Sequence, residues 1–248
     1  MPPYTRHDLK HVADPSERPT AAEYDRYLWL VELLKKAHYD DARIHAEYPF
    51  VVKDMLMSAI FATASAALAR LTGSAEVAAW GDRAAAAVLA ARLDDGLALD
   101  VDVRANAPIR VQTCAGLAPL LLPSLPDDAL KSALALVCGP HFAGASGFAY
   151  PVVPSTAPGS PGFVAQSYWR GPSWPIMNWL LWRALKHHGQ HSAAHALREA
   201  NLGLLSREEA RFAEYFEPYT SAPLGSLDQS WTAAVTLDWL AHGDQVLT

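Results

Sequence analysis

Apolar residues recur at helical spacing along most of the chain. Thr20 and Glu23 stand in capping-box register, and Tyr27, Leu30, Val31 and Leu34 then share one face. A long apolar segment runs from about Phe50 to Leu71 and stops at Thr72-Gly73. The next begins at Ala75, keeps Val77, Trp80, Ala84, Val88 and Ala91 in register, and ends near Asp94-Asp95-Gly96. Asp127-Asp128 opens a shorter helix through Val137, closed by Gly139-Pro140. Pro175 suits the first turn of a helix that ends near Gly189, and residues 192–205 and 230–240 supply two more. Alanine, the best helix former, makes up 45 of the 248 residues. The pattern predicts an all-α protein of antiparallel helix pairs, organised as one domain over residues 1–248.

Two stretches break the periodicity. Asp95 to Leu117 holds an alternating run, Leu97 to Val103, that suits a short hairpin. His141 to Gly171 is rich in Pro, Gly and Ser and is too long for a plain connector; such loops commonly carry function.

Composition narrows the function classes. Twenty Lys+Arg against 26 Asp+Glu leave a net charge of −6, so no nucleic-acid partner is expected. The apolar run Met55 to Ala69, between Asp54 and Arg70, falls short of the ~20 residues of a membrane span, and no membrane association is expected. The first eight residues lack the apolar core of a signal peptide. Two cysteines, Cys114 and Cys138, make no disulfide scaffold. A cytoplasmic globular protein is the expectation. His187, His191 and His195 stand at i, i+4 and i+8, but Gly189 and Gln190 fall among them and no carboxylate or thiol completes a set. No metal and no cofactor is expected.

The aromatic residues are more informative. Six of the eight tryptophans lie after residue 165. Trp179, Trp182 and Trp239 read as core. Trp169 and Trp174 sit in a loop entering a helix, beside Gln166, Tyr168 and Arg170. Flat aromatic faces next to hydrogen-bonding side chains suit a sugar, and suit a structural aromatic cluster equally well. Glu214, hemmed by Tyr215 and Phe216, reads either as a carboxylate with an adjusted pKa or as a surface Glu-Tyr pair.

A resemblance adds to this reading. Tyr168-Trp-Arg-Gly-Pro-Ser-Trp174-Pro with Asn178-Trp-Leu-Leu181, then Ala213-Glu-Tyr-Phe-Glu-Pro-Tyr-Thr220 and Gln229-Ser-Trp-Thr-Ala-Ala234, is similar to glycoside hydrolase family 63. Within it, the segments resemble the bacterial glucosylglycerate and mannosylglycerate hydrolases. Tyr4-Thr-Arg-His-Asp-Leu-Lys-His-Val12, Arg18-Pro-Thr20, Glu23-Tyr-Asp-Arg-Tyr-Leu-Trp29 and Pro49-Phe-Val-Val-Lys-Asp54 extend the resemblance over essentially the whole chain. Ser221 departs from it, standing where the family usually has Gly.

The resemblance implies a six-hairpin (α/α)6 barrel and inverting hydrolysis of a small sugar substrate by two carboxylates. Such a pair stands ~6.5–9.5 Å apart, which admits a water. Carried onto this sequence, Glu214 is the general base. Tyr168, Trp169, Trp174 and Gln229 shape the sugar subsite, and Arg6 holds the glycerate carboxylate. The family's general acid is an Asp in a segment similar to Glu-Ser-Gly-x-Asp-Asn-Ser-Pro-Arg-Trp. That segment does not occur here, and by family order it precedes residue 4. Asp54, Glu47, Asp102 and Asp228 remain as substitutes. Seven or eight helices are legible where such a barrel needs twelve, so the expected fold is a barrel incomplete at its N-terminus. Three readings follow: an inverting α-glycosidase portion with the base but not the acid, a non-catalytic sugar-binding remnant, or a subunit completed by a separate N-terminal chain. Homo-oligomerisation is a further expectation, because an incomplete barrel exposes apolar faces.

Overall fold

The computed structural model describes residues 3–242. It is mostly helical. The α-helices are α1 (Ala21–Lys36), α2 (Asp41–Glu47), α3 (Met55–Thr72), α4 (Ala75–Ala90), α5 (Asp127–Cys138), α6 (Pro175–His187), α7 (His191–Leu205) and α8 (Ser230–His242). Two small antiparallel sheets qualify the all-α expectation. One orders β1 (Val52–Lys53), β2 (Val101–Asp102) and β3 (Ala107–Pro108); the other pairs β4 (Tyr215–Phe216) with β5 (Pro223–Leu224).

The helices pack as antiparallel pairs, α3 with α4 and α6 with α7. The helices α3, α4, α5 and α6 lie against a 3-10 segment, Cys114–Leu121, and α8 lies against α6. The larger core gathers Leu117 and Leu120 of that segment with Trp182, Leu185 and Trp239. A second cluster joins Met55, Ala59 and Ala62 of α3 to Val88, Ala118 and Leu122. Small residues set the α3–α4 spacing: a Cβ on Gly81 would stand 3.1 Å from both the Ala62 carbonyl oxygen and the Ser65 Cβ.

Trp182 and Trp239 are core residues, as expected. Trp179 is only half-buried and donates its indole N–H to Asp238 at 2.6 Å. The long apolar helix starts at Met55, five residues later than its pattern suggested. Val52 and Lys53 pair with β2, and the Asp54 carboxylate caps the helix by accepting from the Met57 amide at 2.8 Å. By length and composition alone, Met55–Thr72 is long and apolar enough to cross a membrane. Its inner face (Met55, Ala59, Ala62, Ser65) is nevertheless buried within the fold. His187 closes α6 and His191 opens α7, with Gly189 at φ +69° between them, so His187 is separated from His191 and His195 and the three share no common helix face.

The Thr20–Glu23 capping box forms, yet no residue of α1 is buried, and Tyr27 and Trp29 are about half exposed. Met57, Ile60, Phe61, Leu68 and Leu71 make an exposed stripe along α3, and Leu237 and Leu240 lie exposed on α8. The helical patterning is therefore present on faces that nothing in these residues covers.

The long loop before α6 is held rather than slack. Cys114 donates its amide to the Ser155 carbonyl and Ala157 donates to that of Gln112, so the two irregular stretches brace each other. Asn178, fully buried, accepts from the Val153 amide at 2.8 Å and donates to the Val153 and Trp174 carbonyls at 3.0 Å each. One side chain thus ties the loop to the first turn of α6. Both cysteines are free, and burial pushes the Cys114 thiol up to about 12.

Candidate active site

The chain brings the Tyr168–Trp174 loop beside β4 through a backbone bridge. Ser173 donates to the Phe216 carbonyl at 2.8 Å, and Phe216 donates back at 2.9 Å. Gly171 is extended, but a Cβ there would stand 2.4 Å from the Val164 carbonyl oxygen, so only glycine fits where the loop crosses itself. Tyr168 adopts a left-handed φ of +36°, a conformation that costs a non-glycine residue energy and is held by its surroundings.

The aromatic residues form a stack. Trp169 lies flat on Trp174, with centroids 3.8 Å apart and planes within 2°, and Trp174 lies on Tyr215 at 4.5 Å. Tyr168 meets all three rings edge-on. The two tryptophans therefore differ in what they offer. Trp169 is 39% exposed and Trp174 1%. Both faces of Trp174 are covered, which corrects the expectation that it stacks on a sugar: it backs the platform that Trp169 presents. Trp231, at the start of α8, approaches Trp174 edge-on at 6.0 Å.

Glu214 is buried next to this stack. Its backbone amide donates to the Ser226 carbonyl at 2.9 Å. Its Oε2 accepts from the Ser226 amide at 3.1 Å and from Arg18 Nη2 at 2.7 Å. Among the described residues, Oε1 has no hydrogen-bond partner and is not sealed from solvent. Arg18 also lies 4.6 Å over the Tyr168 ring. Burial works against its charge, but Tyr215, Glu214 and Tyr168 outweigh that and raise its pKa. Among the described residues, Arg18 Nε is buried without a partner. Leaving a buried donor unmet costs about 1–3 kcal/mol, so the fold maintains this arrangement against a penalty. Burial likewise drives the Tyr215 hydroxyl far above its ordinary pKa, and the phenol stays neutral.

Glu217, three residues on, has a different task. Its Oε2 accepts from the Thr220 amide and hydroxyl at 2.5 and 2.6 Å, capping the turn that leads into β5. In that turn Ser221 sits at φ +58°, which explains why glycine suits the position. Here the serine backbone and hydroxyl are instead held by Arg207.

Gln229 is half-buried at the start of α8; its amide donates to the Phe212 carbonyl at 2.9 Å, and its side-chain oxygen accepts from the Ser230 amide at 3.1 Å. Arg6 lies against its own N-terminal segment. Its guanidinium donates to both Asp8 oxygens, at 3.1 and 2.5 Å, and covers the Tyr24 ring at 4.6 Å. Asp8 thus occupies the Nε–Nη2 edge of the guanidinium. The Arg6 bond in turn holds the Asp8 carboxyl below its ordinary range.

The four substitutes for a proton donor are all engaged elsewhere. Asp54 caps α3, Asp102 accepts from the Arg104 and Ala105 amides, Asp228 pairs with Arg211, and Glu47 pairs with Arg43 on the surface. Burial raises the pKa of Asp100, the direction an acid needs, but its Oδ1 accepts from the Met55 amide at the start of α3, not on the Glu214 loop. Arg18 and Glu17 went unassigned in the sequence; the only signal there was the Arg18-Pro-Thr20 segment.

The family model described as mannosylglycerate hydrolase MGH1-like glycoside hydrolase domain matches residues 2–232. The chain belongs to that family. It is 41% identical to a glucosylglycerate hydrolase of Mycolicibacterium hassiacum, over 97% of this chain and 55% of that protein. It is 36% identical to a mannosylglycerate hydrolase of Rubrobacter radiotolerans, over 98% of this chain and 56% of the relative. The crystal structure of a family 63 mannosylglycerate hydrolase from Thermus thermophilus, in complex with Tris and D-glycerate, superposes with a TM-score of 0.86 at 35% identity, over 97% of this chain and 58% of that one. The chain thus spans about half the length of the curated relatives it matches.

Proposed function

We propose that this chain carries the base side of an inverting α-glycosidase site that acts on a small glycoside of glycerate, glucosylglycerate or mannosylglycerate. One observation carries the reading: on the loop that packs against the Tyr168–Trp174 segment, Glu214 is anchored by one oxygen and, among the described residues, leaves the other free. An inverting base needs this division, because it must be rigid yet keep one oxygen to take a proton from water. Tyr168, Trp169 and Gln229 border the sugar, with Trp174 behind them. The proton donor comes from sequence outside these 248 residues, together with the remaining helices of an (α/α)6 barrel. The engagement of Asp54, Glu47, Asp102 and Asp228 elsewhere supports this.

The leaving group provides the test. Glyceryl oxygen must be protonated as it departs, whereas fluoride leaves without a proton. The chain is expected to release fluoride from α-D-glucosyl fluoride, with β-D-glucose as the first product by NMR, and to leave glucosylglycerate untouched. Water adds to C1, its proton goes to Glu214, and the C–F bond breaks. Absence of fluoride release would sink the proposal; rapid hydrolysis of glucosylglycerate would show that the acid is here after all.

The uncovered stripes on α1, α3 and α8 belong to the same reading. Exposed apolar surface on this scale promotes association. Light scattering is expected to find species well above the 26.9 kDa monomer. A monodisperse monomer would count against an incomplete barrel.

A further inference from the structure

The N-terminal residues Glu17 and Arg18 reach the Glu214 loop from about 200 positions away in sequence. They grip it at adjacent points with opposite charges. Arg18 donates to Glu214 Oε2 at 2.7 Å, and Glu17 Oε2 accepts from the Gly225 amide at 2.6 Å. The Tyr215 hydroxyl lies 3.4 Å from the Glu17 carbonyl oxygen, a third and weaker tie. Glu17 is itself fixed in a capping box with Asp14, and Pro15 stiffens that turn. The dipeptide therefore presents both charges from a short rigid element rather than from a loose strand.

We infer that Glu17 and Arg18 are positioning residues, a clamp that commits one oxygen of Glu214 to the protein and reserves Oε1 for the attacking water. A guanidinium commonly takes a carboxylate with two parallel bonds. Here it makes one, to the oxygen that the Ser226 amide also holds. Two donors on Oε2 set the carboxylate plane while Oε1 stays unbonded. Glu17 holds Gly225, the neighbour of Ser226, so the second donor is itself braced by the same dipeptide. This inference rests on Glu214 being the base.

The test uses the full chain with Arg18→Met and Arg18→Lys. In Arg18→Met the kcat for fluoride release from α-D-glucosyl fluoride is expected to fall about 10²-fold, the scale of a misplaced catalytic group, with KM held within about threefold. Arg18→Lys restores the point charge without the planar fork, and is expected to recover about tenfold of that loss while staying below wild type. Hydrogen exchange at the Ser226 amide is expected to quicken in Arg18→Met, because its acceptor is released. Wild-type kcat in Arg18→Met, or a loss that Lys does not relieve, overturns the clamp. If Arg18→Met does not fold, the position of Arg18→Lys between wild type and Glu214→Gln decides: a kcat equal to wild type overturns the clamp and a reduced kcat at unchanged KM supports it. If the wild-type chain releases no fluoride, the reading of Glu214 as base fails. The exchange rate at Ser226 then judges the clamp alone: faster supports it, unchanged overturns it.

Discussion

Glu214→Gln is expected to reduce fluoride release by about 10²–10⁴-fold, the contribution of a general base. Glutamine keeps the size of glutamate, and its amide oxygen can still accept from Arg18 and the Ser226 amide, so the loop keeps its shape. What it loses is the ability to take a proton at the second position. Glu217→Gln is the matched control. Glu217 is equally buried and lies three residues away, but its carboxylate is spent on the Thr220 amide and hydroxyl. A glutamine oxygen can accept one of those two bonds, so the expected cost is about 1 kcal/mol of stability with little change in kcat. Fluoride-electrode kinetics and thermal unfolding of both variants separate the roles. Equal loss of activity in both, or retention in Glu214→Gln, would remove Glu214 from the chemistry.

Gly225→Ala is expected to be strongly disruptive for a single-methyl change at the site. Gly225 has φ +72°, which disfavours any residue with a Cβ by about 1–2 kcal/mol. The added carbon would also stand 2.5 Å from Tyr215 Cε1, 2.7 Å from Glu214 Oε2 and 3.0 Å from Glu214 Cβ. Tyr215 is fully buried and locked between rings, so it cannot yield cheaply, and overpacking of this kind adds about 1–3 kcal/mol. The carboxylate is the softer neighbour. Its displacement from Arg18 should lower kcat about 10²-fold even in protein that remains folded. Calorimetry and fluoride kinetics measure the two effects independently. A variant with wild-type melting temperature and wild-type kcat would mean that the loop is not held as described.

The helices were legible because their signals are local. Alanine content, apolar periodicity and caps such as Thr20 act within one or two turns, and α1, α4 and α5 begin where those signals put them. The start of α3 was not legible from its own residues. Val52 and Lys53 leave the helical pattern because they pair with residues 101 and 102, a contact that no local propensity encodes. The family motifs likewise pointed to Glu214, Tyr168 and Trp169, but they carried no information on which aromatic face stays open. Trp169 and Trp174 look alike in sequence; only packing against Tyr215 assigns one to the surface and the other to the interior.

By itself, then, the sequence determined a helical glycosidase-like chain with one carboxylate loop and one aromatic loop, because composition, periodicity and motifs are properties of neighbouring residues. The tertiary structure decided which oxygen of Glu214 is free, that Arg18 meets that carboxylate, and that the apolar faces of α1, α3 and α8 stand uncovered among the described residues. Those are consequences of side chains meeting across about 200 residues, where hydrogen-bond geometry and burial, not local propensity, select among arrangements the chain's pattern leaves equal.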